Sequence, residues 1–239
     1  MPRTRLSVVL LSLFVAAVAA RAQDPARPAQ THLKRGAERF LRGDLDGALS
    51  AYDLALAVEP EAADIYLRRG GVRRAKGDLA GALSDFDQAL ALDPAAARND
   101  RSVADAYSRR GYQRAHNLQV EAAIEDFNKA LACYQGNPDY FFRRGNALLV
   151  KGDLAGALAD FNSGLALKPD NAQASFAYAS RGYVYILQGD DRAARADFTQ
   201  SLKLNKDGKL ILRFHLMFLR EQVEEIKQRR LRDQQKVTD

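Results

Sequence analysis

One cysteine and three histidines are the residues of this chain best suited to nucleophilic, acid–base or metal chemistry. A thiolate nucleophile needs a base or cationic neighbour. A metal site needs several His, Cys, Asp or Glu at ligand spacing. Neither pattern surrounds Cys133, His32, His116 or His215. No Ser-His-Asp or Cys-His arrangement, Gly-rich phosphate loop or separated pair of functional carboxylates stands out. The expectation is no catalytic residue, no cofactor, no metal and no enzymatic activity.

The arginines are more suggestive. Arg35, Arg69, Arg110, Arg144 and Arg181 each precede a Gly, and an Asp lies sixteen residues after four of them: Asp85, Asp126, Asp160 and Asp197. Ala51 is the exception. Joint recurrence predicts an ion pair between helices, more useful for setting register than for stability, because desolvation offsets much of its Coulombic gain. One residue earlier runs a second column, Lys34, Arg68, Arg109, Arg143 and Ser180. Its four cations suit a carboxylate ligand, which Arg grips with two hydrogen bonds. They also suit a paired surface, since Asp64, Asp105 and Asp139 lie four residues before three of them, the helix-surface pairing distance.

The elements that carry these columns are set by a repeat. The Arg-Gly dipeptides are spaced 34, 41, 34 and 37 residues apart. Twelve residues after each Gly stands an Ala (Ala48, Ala82, Ala123, Ala157, Ala194), and four later a ring (Tyr52, Phe86, Phe127, Phe161, Phe198). Three further on is a small residue (Ala55, Ala89, Ala130, Gly164, Ser201). Offsets of four and three share one helix face. Small residues let helices approach, and the ring fills the space beside them. Each repeat is thus two antiparallel helices. Gly43-Asp44, Gly77-Asp78, Gly152-Asp153 and Gly189-Asp190 mark the turns, Gly ending one helix and Asp capping the next. Asn117-Leu118 replaces them in the third repeat, with Asn117 expected in the left-handed conformation. Pro60, Pro94 and Pro169 close three of the second helices. Within these columns Cys133 aligns with Val58, Leu92, Leu167 and Leu204, and reads as a buried apolar residue. His32 aligns with Tyr66, Tyr107, Phe141 and Tyr178, and His116 with Leu41, Ala75, Val150 and Leu187. Both are assigned to packing.

Residues 29–208 resemble the tetratricopeptide repeat (TPR) family, with repeats at about 29–62, 63–96, 104–137, 138–171 and 175–208. The resemblance implies an all-α, right-handed α-solenoid whose first helices line a concave groove that holds a protein or peptide. Carried onto this chain, the groove comprises Lys34, Arg68, Arg109, Tyr112, Phe142, Arg143, Asn146 and Tyr183, with Tyr112, Phe142, Asn146 and Tyr183 as its hot spot. The chaperone-tail subclass uses a Lys and Asn clamp. Leu33, Ala37 and Asp105 depart from that pattern, so its ligands are not implied. A helix over 209–235 is expected to cap the last repeat. The alternative is a self-association helix that makes the protein a homo-oligomer.

The N-terminus reads as an export signal. Arg3 and Arg5 precede an apolar run from Leu6 to Ala20, and Ala20-Arg21-Ala22 offers small residues for cleavage before Gln23. Residues 23–30 read as an extended linker. Cleavage would leave no membrane span and 33 basic against 30 acidic residues, +3 in place of +6. That balance and export both argue against a nucleic-acid partner. The expected role is a cell-envelope scaffold, periplasmic or secreted in a Gram-negative bacterium.

Overall fold

Ala and Leu lose little conformational freedom in a helix, and the polar turn pairs interrupt them at fixed intervals. The computed structural model describes residues 26–205 and, beyond them, Arg213, Leu216, Met217, Arg220, Glu221, Glu224, Glu225 and Gln228. Among these residues every regular element is an α-helix. The chain divides into two compact units, Met1–Ala96 and Ala97–Asp239.

The first unit holds two hairpins, α1 (Ala26–Leu41) with α2 (Leu45–Val58) and α3 (Ala63–Ala75) with α4 (Leu79–Leu92). Helix α2 packs on α3, and α1 also touches α3. The second unit holds three: α5 (Arg101–His116) with α6 (Val120–Cys133), α7 (Pro138–Lys151) with α8 (Leu154–Ala166), and α9 (Asn171–Gln188) with α10 (Asp191–Leu204). There α6 packs on α7 and α8 on α9, while α5 touches α7 and α7 touches α9. First helices of successive hairpins in this unit therefore share a face. The three extra residues of the fifth repeat are absorbed by α9, which reaches 18 residues.

The repeat columns form the cores. Ala48, Ala82, Ala123, Ala157 and Ala194 are fully buried, as are Tyr52, Phe86, Phe127 and Phe161. The Gly of each Arg-Gly pair is where the ring of the second helix lies on the first. A Cβ at Gly70 would stand 2.5 Å from the Phe86 ring, too close for any real contact. Ser201 occupies the small column with a hydroxyl, which donates to the Ser175 carbonyl while Ser175 donates to that of Ser201. Both groups are buried and satisfied, so the polar column residue is tolerated.

Gly43, Gly77, Gly152 and Gly189 all take positive φ, and the following Asp accepts a backbone N–H three residues on. The third turn differs from expectation. Asn117 has φ −88° and Leu118 has φ +57°, so Leu118 fills the left-handed position. The register requires it, since Leu118 stands where the other repeats carry Gly. Residues 26–30 are helical rather than extended, because Pro28 lies in the first turn of α1, where the missing N–H has no helical partner to lose. The expected signal at 1–22 and most of the 209–235 helix lie outside the described residues. Those that are described in the latter segment are helical.

Candidate functional site

The two arginine columns, one residue apart on the same helices, meet different surroundings. Arg69, Arg110, Arg144 and Arg181 turn inward and clamp Asp85, Asp126, Asp160 and Asp197 through both carboxylate oxygens, at 2.6–3.0 Å. The aspartates are buried. Hydrogen bonding to Asp85, Asp160 and Asp197 raises Arg69, Arg144 and Arg181 above the ordinary guanidinium range, against the opposing effect of burial. These arginines also reach the preceding hairpin of their own unit: Arg69 to Asp53 at 2.7 Å, Arg144 to Asn128 at 2.8 Å and Arg181 to Asn162 at 2.6 Å. Tyr66, Tyr107 and Tyr178 lie under the guanidiniums of Arg69, Arg110 and Arg181. The expected ion pair thus joins helices both within and between hairpins, and it is architectural.

A third column went unread in the sequence. Arg73 and Arg114, three residues after the Gly, add a second guanidinium to Asp85 and Asp126 at 2.9 and 3.0 Å. Arg39, Arg73 and Arg114 each donate to a carbonyl in the first turn of the next helix. The recurrence of Arg at that offset was the available signal.

The outer column is mixed. In the first unit Lys34 is exposed, and Arg68 lies 3.9 Å from Asp64 with both side chains solvated. In the second unit Arg143 meets Asp139 at 2.6 Å. The expected Asp105–Arg109 pair does not form. Asp105 instead lies 3.8 Å from Arg101 and accepts the hydroxyl of buried Tyr140, whose pKa is raised by burial and then by that bond. Arg109 is left exposed and without an ion pair among the described residues.

Three of the predicted groove residues come together on α5 and α7. The Arg143 guanidinium lies 4.9 Å from the centre of the Tyr112 ring, and Arg109 stands one turn before Tyr112. Tyr112 is 48 % exposed. Its ring meets His116 edge-on at 4.4 Å, and with Gln113 and Asn117 these two line a hollow of about 480 Å³. His116 is exposed, which corrects its assignment to packing: its column lies at the end of the first helix, where Leu41 is also solvated. Asn146, on α7, keeps its Oδ1 buried with no hydrogen-bond partner.

Two predicted residues fall elsewhere. Phe142 is buried, and its ring occupies the space a Cβ would take at Gly164, 2.3 Å from Cε1. It is a core residue, because Gly164 leaves room that Ala fills in three of the other hairpins. Tyr183 is half-buried and lines a cleft with Phe198, Leu202 and the C-terminal segment. Cys133 is buried, and burial pushes its thiol up to about 11, keeping it protonated at neutral pH. His32 is half-buried, with Nδ1 unpartnered. Among the described residues no group of three or more His, Cys, Asp or Glu is placed to hold a metal, and no helix is long and apolar enough to cross a membrane.

Tetratricopeptide-repeat models match residues 33–97 and 177–207. Among solved structures, YrrB, described as a TPR protein with an unusual peptide-binding site, is 20% identical. The match covers 85% of this chain and 97% of that one with a TM-score of 0.55. A MamA crystal structure is 22% identical over 76% of this chain and 93% of its own, with a TM-score of 0.50. These likenesses speak to the fold. No curated protein matches the chain. The matched segments carry the same Gly–ring contact and Arg–Asp clamp that close the hairpins between them, and this chain is a tetratricopeptide-repeat protein.

Proposed function

We propose that the chain is a non-enzymatic scaffold of the bacterial cell envelope, exported by residues 1–22, which binds a peptide or protein on the first-helix face of α5 and α7. The observation that carries this reading is the contrast between adjacent arginines. Arg110 and Arg144 are consumed by the fold, whereas Arg109 is solvated and unpaired and Arg143 is stacked on an exposed tyrosine. Asp139 already holds Arg143 against the Tyr112 ring, so the exposed ring offers a surface for an apolar side chain and the neighbouring Arg109 guanidinium is the one open to a carboxylate.

The test is a pull-down from envelope fractions with wild type and with Arg109→Glu plus Tyr112→Ala, two exposed positions whose replacement leaves the helical circular dichroism unchanged. Loss of a partner from the double variant supports the face. The same partners with both proteins would sink it.

A further inference from the structure

The α5–α7 face leaves unused a cleft of about 420 Å³ at the far end of the second unit. Tyr183, Phe198 and Leu202 form one wall, and the C-terminal segment forms the other. On that segment Arg213, Leu216, Met217 and Arg220 are helical, and all four line the cleft. Their offsets of three, one and three put them on one helix face. Two guanidiniums therefore flank two apolar side chains, seven residues and about 10.5 Å apart along the helix axis. Arg213 and Arg220 are exposed, and neither forms an ion pair among the described residues. Met217 remains 46 % exposed beside an apolar wall. The volume falls in the range of sites that seat ligand groups, roughly 300–1,000 Å³.

We propose that this cleft seats an acidic amphipathic segment of a partner protein. Its apolar side chains enter between Leu202 and Met217, and carboxylates on either side of them meet Arg213 and Arg220. The charge pattern selects this occupant. A fatty acid carries one carboxylate and leaves one guanidinium unmatched. A second copy presenting the same face sets arginine against arginine. Two carboxylates two helical turns apart, with leucines between them, match both the cations and the apolar strip.

The probe is a fluorescein-labelled, Ala-rich helical peptide with two central leucines flanked by glutamates seven residues apart, titrated with the full chain and followed by fluorescence anisotropy. Wild type is expected to bind it saturably. Arg213→Glu plus Arg220→Glu weakens binding by about tenfold or more, and a probe with lysine for glutamate then binds the variant in preference to wild type. Arg192→Glu plus Arg195→Glu, an equal charge reversal at two exposed positions of α10 outside the cleft, leaves binding unchanged. No saturable binding, equal binding by the double variant, or equal binding of the lysine probe to wild type would overturn the proposal. So would binding of decanoate without binding of the glutamate probe.

Discussion

The second hairpin, α3–α4, and the fourth, α7–α8, close on the same contacts and present different faces. In both, a ring lies on the Gly of the first helix, 2.5 Å from a notional Cβ at Gly70 and 3.1 Å at Gly145. In both, an arginine clamps a buried aspartate through two hydrogen bonds and reaches back to the preceding hairpin. Outside that seam they part. The α3 face holds Gly71, a solvated Arg68–Asp64 contact at 3.9 Å and exposed Arg74. The α7 face holds a tight Arg143–Asp139 pair, a cation over Tyr112, and Asn146 with an unpartnered oxygen. A repeat that must pack can hold its seam constant while each face varies. Departures from the repeat on that face are therefore where binding is to be sought.

Phe142 tests the comparison most strongly, because it is the residue of the α7 face that turned inward. Phe142→Ala is expected to destabilise the chain by about 3–4 kcal/mol, and its half-buried counterpart Leu67→Ala by about 1–2 kcal/mol, in urea unfolding. Equal losses would mean that Phe142 is no more part of the core than Leu67. The seam comes next. Asp85 holds two guanidiniums and Asp160 one, so Asp85→Ala should cost about 3 kcal/mol and Asp160→Ala about 2, below the fully buried limit because the arginines are partly solvated. An Asp160 variant as damaged as the Asp85 variant would show that the second arginine adds nothing. The smallest effect lies in the third turn, which lacks the Gly that the second and fourth share. Leu118→Gly removes a left-handed β-carbon and should raise stability by about 1 kcal/mol, seen as a higher urea midpoint at unchanged slope. A fall would show that the half-buried Leu118 side chain contributes more than its backbone strain costs.

Most of the hairpin was legible residue by residue. The Ala, ring and small columns, the Arg-Gly dipeptide and the Gly-Asp turns each recur because a local geometry demands them, and recurrence separates a packing residue from a chemical one without any relative for comparison. Cys133 was placed correctly on that basis. Recurrence carries no such information where a column loses its common environment. His116 sits at a helix end, where neighbours are not repeated and burial varies from Val150 to exposed Leu41. Asp105 was matched to Arg109 by spacing alone, but the Tyr140 hydroxyl and Arg101 compete for the same carboxylate. Spacing names the candidates for a pair and does not rank them.

What the amino-acid order determined by itself was therefore the unit and its period. Helix propensity, left-handed glycines and the close approach of small residues act over a few residues or within one hairpin, so their signals lie in short range along the chain. Only the tertiary structure decided that Arg143 keeps its aspartate while Arg109 loses Asp105 to Arg101 and Tyr140, that Phe142 fills the space at Gly164, and that Arg143 rests on Tyr112 from another hairpin. Those outcomes depend on side chains of different helices competing for one volume or one charge, and no local pattern records the result of that competition.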